Sequence, residues 1–174
     1  MERHPLWVAR RYGVGVATIC VGILSIFGAP MPAVAATATA TLTVSANVIS
    51  SCTVTNGTLA FGDYAPTGTG NVDQTGTFTV ACTKGTGATV GLGDGDNFLS
   101  GARRMKNGSE FLTYELYKES ARTNVWGNAG GALVTLTAAT SNAAQTLTVF
   151  GRIAPGQDVS VGNFGDAVQI TVTY

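Results

Sequence analysis

Few residues in this chain could do chemistry, and their positions decide what they can do. There is one histidine, His4, and there are three cysteines, Cys20, Cys52 and Cys82. Asp94, Asp96 and Asn97 fall in one short run, Arg103, Arg104 and Lys106 in the next, and Glu110, Glu115 and Glu119 follow. Each group suggests a chemistry: nucleophilic or zinc catalysis for Cys and His, a calcium loop for the aspartates, an anion patch for the cations, a carboxylate pair for the glutamates.

The start of the chain removes the first of these. Arg3, Arg10 and Arg11 form a basic stretch, Val14 to Phe27 is a continuous apolar and small run, and Pro30 and Pro32 precede Ala33-Val34-Ala35. This is the pattern of a cleaved secretory leader, residues 1–35, with cutting after Ala35 or Ala36. The apolar run holds 14 residues, fewer than the ~20 needed to span a bilayer as a helix. Ile19 precedes Cys20 where a lipoprotein signal needs a small residue, so Cys20 is not a lipid attachment site. His4 and Cys20 leave with the leader. The mature chain is then expected to hold no histidine for a Ser-His-Asp, Cys-His or ordinary zinc site, and hydrolytic catalysis is not expected.

Cys52 and Cys82 remain, 30 positions apart. In an exported chain two thiols with no other cysteine or histidine to share a metal are expected to pair as a disulfide. The mature part has 7 basic and 9 acidic residues. With no basic surplus, nucleic acid is not an expected partner. No cofactor is expected either.

The other groups fail on spacing. A calcium loop beginning at Asp94 needs Asp or Asn at 98 and Glu at 105, where the chain has Phe98 and Met105. A strand would hold Glu115 and Glu119 about 13 Å apart on one face, beyond the roughly 5–10 Å of a glycosidase pair. Arg103, Arg104 and Lys106 read as a solvated strand edge, and the three glutamates as surface solvation. Trp126 reads as a packed aromatic rather than a sugar platform. Gly127 to Gly131 has no Lys-Ser and no helix after it, so it cradles no phosphate.

The elements holding these residues are strands throughout. Thr, Val, Gly and Ala dominate from Ala36 on, and alternation is the recurring pattern. Phe78, Val80 and Cys82 share one face, as do Leu112, Tyr114 and Leu116, and as do Val168, Ile170, Val172 and Tyr174. Thr89–Leu92, Leu133–Leu136 and Gln145–Ile153 are further strands, and Asn107-Gly108 predicts a type I′ hairpin between Arg103–Lys106 and Ser109–Lys118. Seven or eight short strands with Gly-rich turns predict a β-sandwich.

The first alternating stretch is unusual. Ala36, Ala38, Ala40, Leu42, Val44, Ala46 and Val48 lie on one side, and Thr37, Thr39, Thr41, Thr43, Ser45 and Asn47 on the other. Thirteen residues extend about 43 Å, roughly twice a typical strand. A strand this long, light and terminal is suited to reaching outside its own domain.

Several segments in order resemble the spore coat protein U domain family, whose members include pilins of archaic chaperone–usher systems. They are Ala46-Asn-Val-Ile-Ser-Ser-Cys52, Leu59-Ala-Phe61-Gly62-Asp63-Tyr64, Phe78-Thr-Val80-Ala-Cys82 and Leu112-Thr-Tyr114-Glu-Leu116-Tyr117. Ala121-Arg122-Thr123 and Trp126-Gly127 follow, then Val149-Phe150-Gly151-Arg152-Ile153-Ala-Pro155-Gly156-Gln157 and Gly165-Asp166-Ala-Val168-Gln-Ile170-Thr-Val172-Thr-Tyr174. The resemblance spans nearly all of the mature chain.

It implies an all-β, immunoglobulin-like sandwich that lacks its last strand and is completed by donor-strand addition. Residues 36–47 become the donor extension, with Ala38, Ala40, Leu42, Val44 and Ala46 facing the groove. Residues 48–174 become the domain, with Val168, Ile170, Val172 and Tyr174 lining the acceptor groove. The donor face is richer in alanine than a tight plug would suggest. The implied partners are a periplasmic chaperone, an outer-membrane usher and further copies of the chain or related pilins in a head-to-tail polymer at the cell surface. The competing expectations are a self-complemented adhesive or carbohydrate-binding module and, by the family's name alone, a spore or cyst coat component.

Overall fold

The computed structural model describes residues 34–174. The expected leader, residues 1–35, lies outside them except for Val34 and Ala35. The chain divides into two units at Val44. In the first, Val34–Val44 carries no helix or strand, and its residues are exposed. A strand is a ladder of backbone hydrogen bonds, and the expected strand over Ala36–Val48 joins no ladder among the described residues.

The second unit is a sandwich of two antiparallel sheets. Its strands are β1 (Cys52–Val54), β2 (Val72–Cys82), β3 (Ala88–Leu92), β4 (Arg103–Asn107), β5 (Glu110–Tyr117), β6 (Val134–Leu136), β7 (Gln145–Ile153) and β8 (Ile170–Thr173). One sheet has the order β1-β2-β7-β5-β4, and the other β6-β3-β8. The expected all-β sandwich is borne out.

Alternation dictates the inner faces. β2 buries Gly76, Phe78, Val80 and Cys82, β5 buries Leu112, Tyr114 and Leu116, and β3 contributes Ala88, Val90 and Leu92. Thr75, Thr77 and Thr79 of β2 and Thr113 and Glu115 of β5 lie between them on the other face, so a one-residue slip in register would exchange core for solvent. β2 and β7 pair over nine positions, from Val72↔Ile153 to Val80↔Gln145. The β4–β5 hairpin differs from expectation in its turn. Asn107 pairs with Glu110, so the loop is Gly108-Ser109, and of these two only Gly108 has positive φ, at 57°. That is the pattern of a type II′ turn, which needs glycine at its first central position.

Trp126 joins the two sheets. Its backbone N–H donates to Leu116 O of β5 at 2.8 Å, and its Nε1–H to Val90 O of β3 at 3.0 Å. The indole is 1% exposed and lies 5.8 Å from the Phe78 ring. The reading of a packed aromatic is borne out.

Candidate functional site

Between the sheets, beside the start of β8, a cleft of about 250 Å3 stays open. The three-stranded sheet supplies Leu92 and Ile170 to its lining, with Val168 just before β8. Phe78, Leu116 and Val149 come from the five-stranded sheet, and Gly57, Thr58 and Leu59 from the chain running on along the edge of β2. Met105, Phe164 and Asp166 lie at its margin. The cleft is mostly apolar because it is core left uncovered. Phe78, Leu92, Leu116, Val149 and Ile170 face inward by alternation, and among the described residues no strand closes over them.

One strand edge adjoins this opening: β8 supplies Ile170 to the lining, pairs with β3 and is one of the two outer strands of its sheet. Of the expected acceptor residues, Val168 and Ile170 line the cleft, and Val172 is half-buried against the same core. Tyr174 is exposed and does not line it. Sequence reasoning missed Leu59, Met105 and Phe164, which come from segments without sustained alternation.

The disulfide ties β1 to β2. Cys52 and Cys82 are bonded, and they are register partners on β1 and β2 with Cα atoms 4.1 Å apart. Cys82 is buried on the face shared with Phe78 and Val80, as alternation requires. Thr83 extends the attachment, its N–H donating to Ser51 O at 2.8 Å.

The cations differ from expectation. Arg103 is 3% exposed, not solvated. Its Nε donates to Gly93 O at 2.9 Å, its Nη2 to Leu92 O at 3.1 Å and Trp126 O at 2.8 Å, and its Nη1 to Glu115. A buried guanidinium is tolerable because each edge of its fork meets an oxygen. Arg104 donates to Asn97 O at 2.8 Å and lies over the Phe111 ring, 4.0 Å from its centroid.

The carboxylates hold loops rather than forming a pair. Glu119 Oε1 accepts from the backbone N–H groups of Thr123 and Asn124 at 2.9 and 2.8 Å, and from both side chains. The Thr123 hydroxyl above all holds its pKa down at about 2. Glu110 accepts from the Ser160 hydroxyl and backbone, which lower its pKa. Asp166 accepts from Asp96 N–H, Asn97 Nδ2 and the Tyr114 hydroxyl, the last at 2.7 Å. Burial, with this carboxylate beside it, pushes the Tyr114 phenol far above its ordinary range. The Asp94–Asn97 segment is thus a turn tied to Asp166. Among the described residues no cluster of three His, Cys, Asp or Glu could hold a metal ion. No helix among them is long and apolar enough to cross a membrane.

Comparison with known proteins supplies the family. The sequence profile of the Spore Coat Protein U domain matches residues 38–171. Protein U of Myxococcus xanthus is 35% identical over 160 residues, 82% of this chain and 88% of that protein. Among solved structures, one similar chain comes from the CsuC–CsuE chaperone–tip adhesion subunit pre-assembly complex of the archaic chaperone–usher Csu pili of Acinetobacter baumannii. It is 24% identical with a TM-score of 0.48, covering 73% of this chain. This chain spans 40% of that one's length. With the profile running from Ala38 to Thr171 and a relative at 35% identity, the chain belongs to the Spore Coat Protein U domain family.

Proposed function

We propose that the chain is a non-enzymatic structural subunit of a surface filament, joined to its neighbours by donor-strand complementation. The observation that carries this reading is the cleft left open between the sheets beside the edge strand β8. An open apolar groove next to unpaired backbone is what an added strand needs: the backbone supplies ladder hydrogen bonds and alternate side chains fill the groove. The same chain carries a suitable strand. Ala38, Ala40, Leu42, Val44 and Ala46 alternate with polar residues, and Leu42 and Val44 are 85% and 82% exposed.

One chain with a donor at its start and an acceptor at its end makes a heterologous, non-closing contact, which repeats into a filament. Before assembly the groove needs a temporary occupant, a periplasmic chaperone, and the finished polymer needs an outer-membrane usher as exit. Residues 1–35 are the export leader and 36–47 the donor extension.

Deleting Ala36 to Val44 tests this directly. The expected result is a folded subunit recovered with its chaperone, with no filaments seen by electron microscopy of the cells. Normal filaments from the truncated subunit would contradict the donor role. A stable full-length monomer whose groove is filled by its own segment would favour the self-complemented adhesive module.

A further inference from the structure

The chain from Gly57 to Phe61 crosses the inner face of the five-stranded sheet. It lies on two glycines of neighbouring strands, Gly76 of β2 and Gly151 of β7. A Cβ on Gly76 would stand 2.4 Å from Thr58 O and 2.8 Å from the Leu59 Cβ. One on Gly151 would stand 2.7 Å from Phe61 Cζ and 2.9 Å from Leu59 Cδ1. At Gly76 a side chain would run into the Thr58 backbone, so the crossing needs glycine there, and at Gly151 it would displace the ring tip of Phe61 and the end of Leu59. Phe61 is buried and packs edge-on against Tyr114 with centroids 5.9 Å apart.

This crossing segment separates two spaces. On one side is the 250 Å3 cleft beside β8, and on the other a larger hollow of about 720 Å3 reaching Tyr64, Leu112 and Val159. Leu59, Phe61, Met105 and Phe164 line both. The partition is therefore made of side chains, with Leu59 and Phe61 at its centre, and the inter-sheet groove ends there.

Resting on the strand-addition reading above, we propose that Leu59 and Phe61, seated on Gly76 and Gly151, form an internal stop that fixes the register of an incoming donor strand. The cleft before the stop is small. It takes the two bulky neighbours of the donor face, Leu42 and Val44, and leaves room only for alanine at the position that meets the stop. This gives a physical reason for alanine on the flank of that pair that meets the stop, Ala40 or Ala46 according to the direction in which the strand enters. A groove that ran on into the larger hollow would admit a bulky side chain at the next alternate position and would allow the strand to slip by two residues.

A size-swap experiment in the full-length chain tests the stop, since each copy is both donor and acceptor. The variants are Ala40→Leu and Ala46→Leu, each alone and each combined with Leu59→Ala, with Leu59→Ala and Leu42→Asp as references. The readout is the yield of denaturant-resistant oligomer ladders on a gel. Whichever enlarged alanine meets the stop should cut the ladder about tenfold or more, because overpacking a closed site is destabilising. Adding Leu59→Ala should restore it. Trp126 fluorescence of the released monomer checks that the Leu59 variant is folded, and Leu59→Val replaces it if it is not. Loss of the ladder in Leu42→Asp, together with no rescue of either enlarged donor, overturns the stop alone. An unchanged ladder in Leu42→Asp overturns strand addition and the stop with it. Tolerance of leucine at both positions in the unmodified acceptor also overturns the stop.

Discussion

The Arg103 guanidinium donates through Nη2 to the carbonyl of Trp126 at 2.8 Å, tying the first residue of β4 to the side chain that bridges the two sheets. With its bonds to Leu92 O and Gly93 O, it also fixes the end of β3 that borders the cleft. Replacing Arg103 by Met should therefore take the guanidinium away from three carbonyls and from Glu115, whose Oε1 keeps only the Leu116 N–H. Glu115 is 28% exposed and can take up solvent, so the cost lies mainly in the carbonyls left unmet, about 1–3 kcal/mol for each that stays buried, and the denaturant midpoint followed by Trp126 fluorescence should fall clearly. Arg103→Lys should fall nearly as far, because one ammonium cannot reach the oxygens a planar fork reaches. A midpoint unchanged in both variants would show that the network carries no stability.

The Cys52–Cys82 bond closes a loop of 30 residues, for which the chain-entropy relation gives about 3.6 kcal/mol. Replacing both cysteines by Ser should lower stability by that order. Mass spectrometry of the native chain should show two hydrogens fewer than after reduction. Two free thiols in protein from the cell envelope would be incompatible with the bonded structure.

Leu42 and Val44 are the largest side chains in the middle of the proposed donor face, and full burial of each would contribute roughly 1.5–3 kcal/mol. Leu42→Asp or Val44→Asp should sharply reduce the heat and denaturant resistance of filaments, since each puts an unpaired charge against an apolar groove. Thr41→Asp and Thr43→Asp, on the opposite face, should be much milder. Equal losses on both faces would mean that alternation does not read the groove.

Stability should depend on acid and not on the neutral range. Glu119 is held at about 2 against an ordinary 4.5, and Asp73, bonded to Arg152, and Glu110, bonded to Ser160, are also lowered. A carboxylate whose folded pKa is lowered contributes stability that is fully present above its unfolded pKa and disappears as pH falls through the folded one. For Glu119 that window runs from 4.5 down to about 2. With residues 1–35 removed as the proposed leader, His4 goes with them, and the remaining chain should show no histidine step between about pH 5 and 8. Denaturant midpoints measured across pH 2–8 check both halves, and a midpoint that holds constant down to pH 2 would contradict the first.

Alternation in the sequence carried most of the sandwich. β7 runs over Gln145–Ile153 as expected, and the inner faces of β2 and β5 fall on the residues that the period of two selects. What alternation could not carry was any relation between distant segments. Arg103 looked like an edge charge because nothing near it in sequence announces acceptors at Leu92, Gly93 and Trp126. Tyr114 and Asp166, 52 positions apart, are likewise joined only by the fold. At the cleft, Val168 and Ile170 were legible because they sit in the alternating run that leads into β8. Leu59 was not, because its place depends on two glycines in other strands. The Asn107-Gly108 pair correctly marked a hairpin but misplaced its loop by one residue, since glycine serves either central position of a primed turn.

The disulfide acquires another meaning if filaments are pulled. Tension entering a subunit through its N-terminal segment reaches Cys52 at the first residue of β1, whose ladder with β2 is only three residues long. The covalent bridge passes the load to Cys82 before that ladder has to bear it. From there it spreads along β2 into the nine-pair ladder with β7, where many hydrogen bonds resist sliding together instead of parting one by one. An oxidised filament should therefore stretch by yielding elsewhere, and a reduced one should begin to unzip at β1.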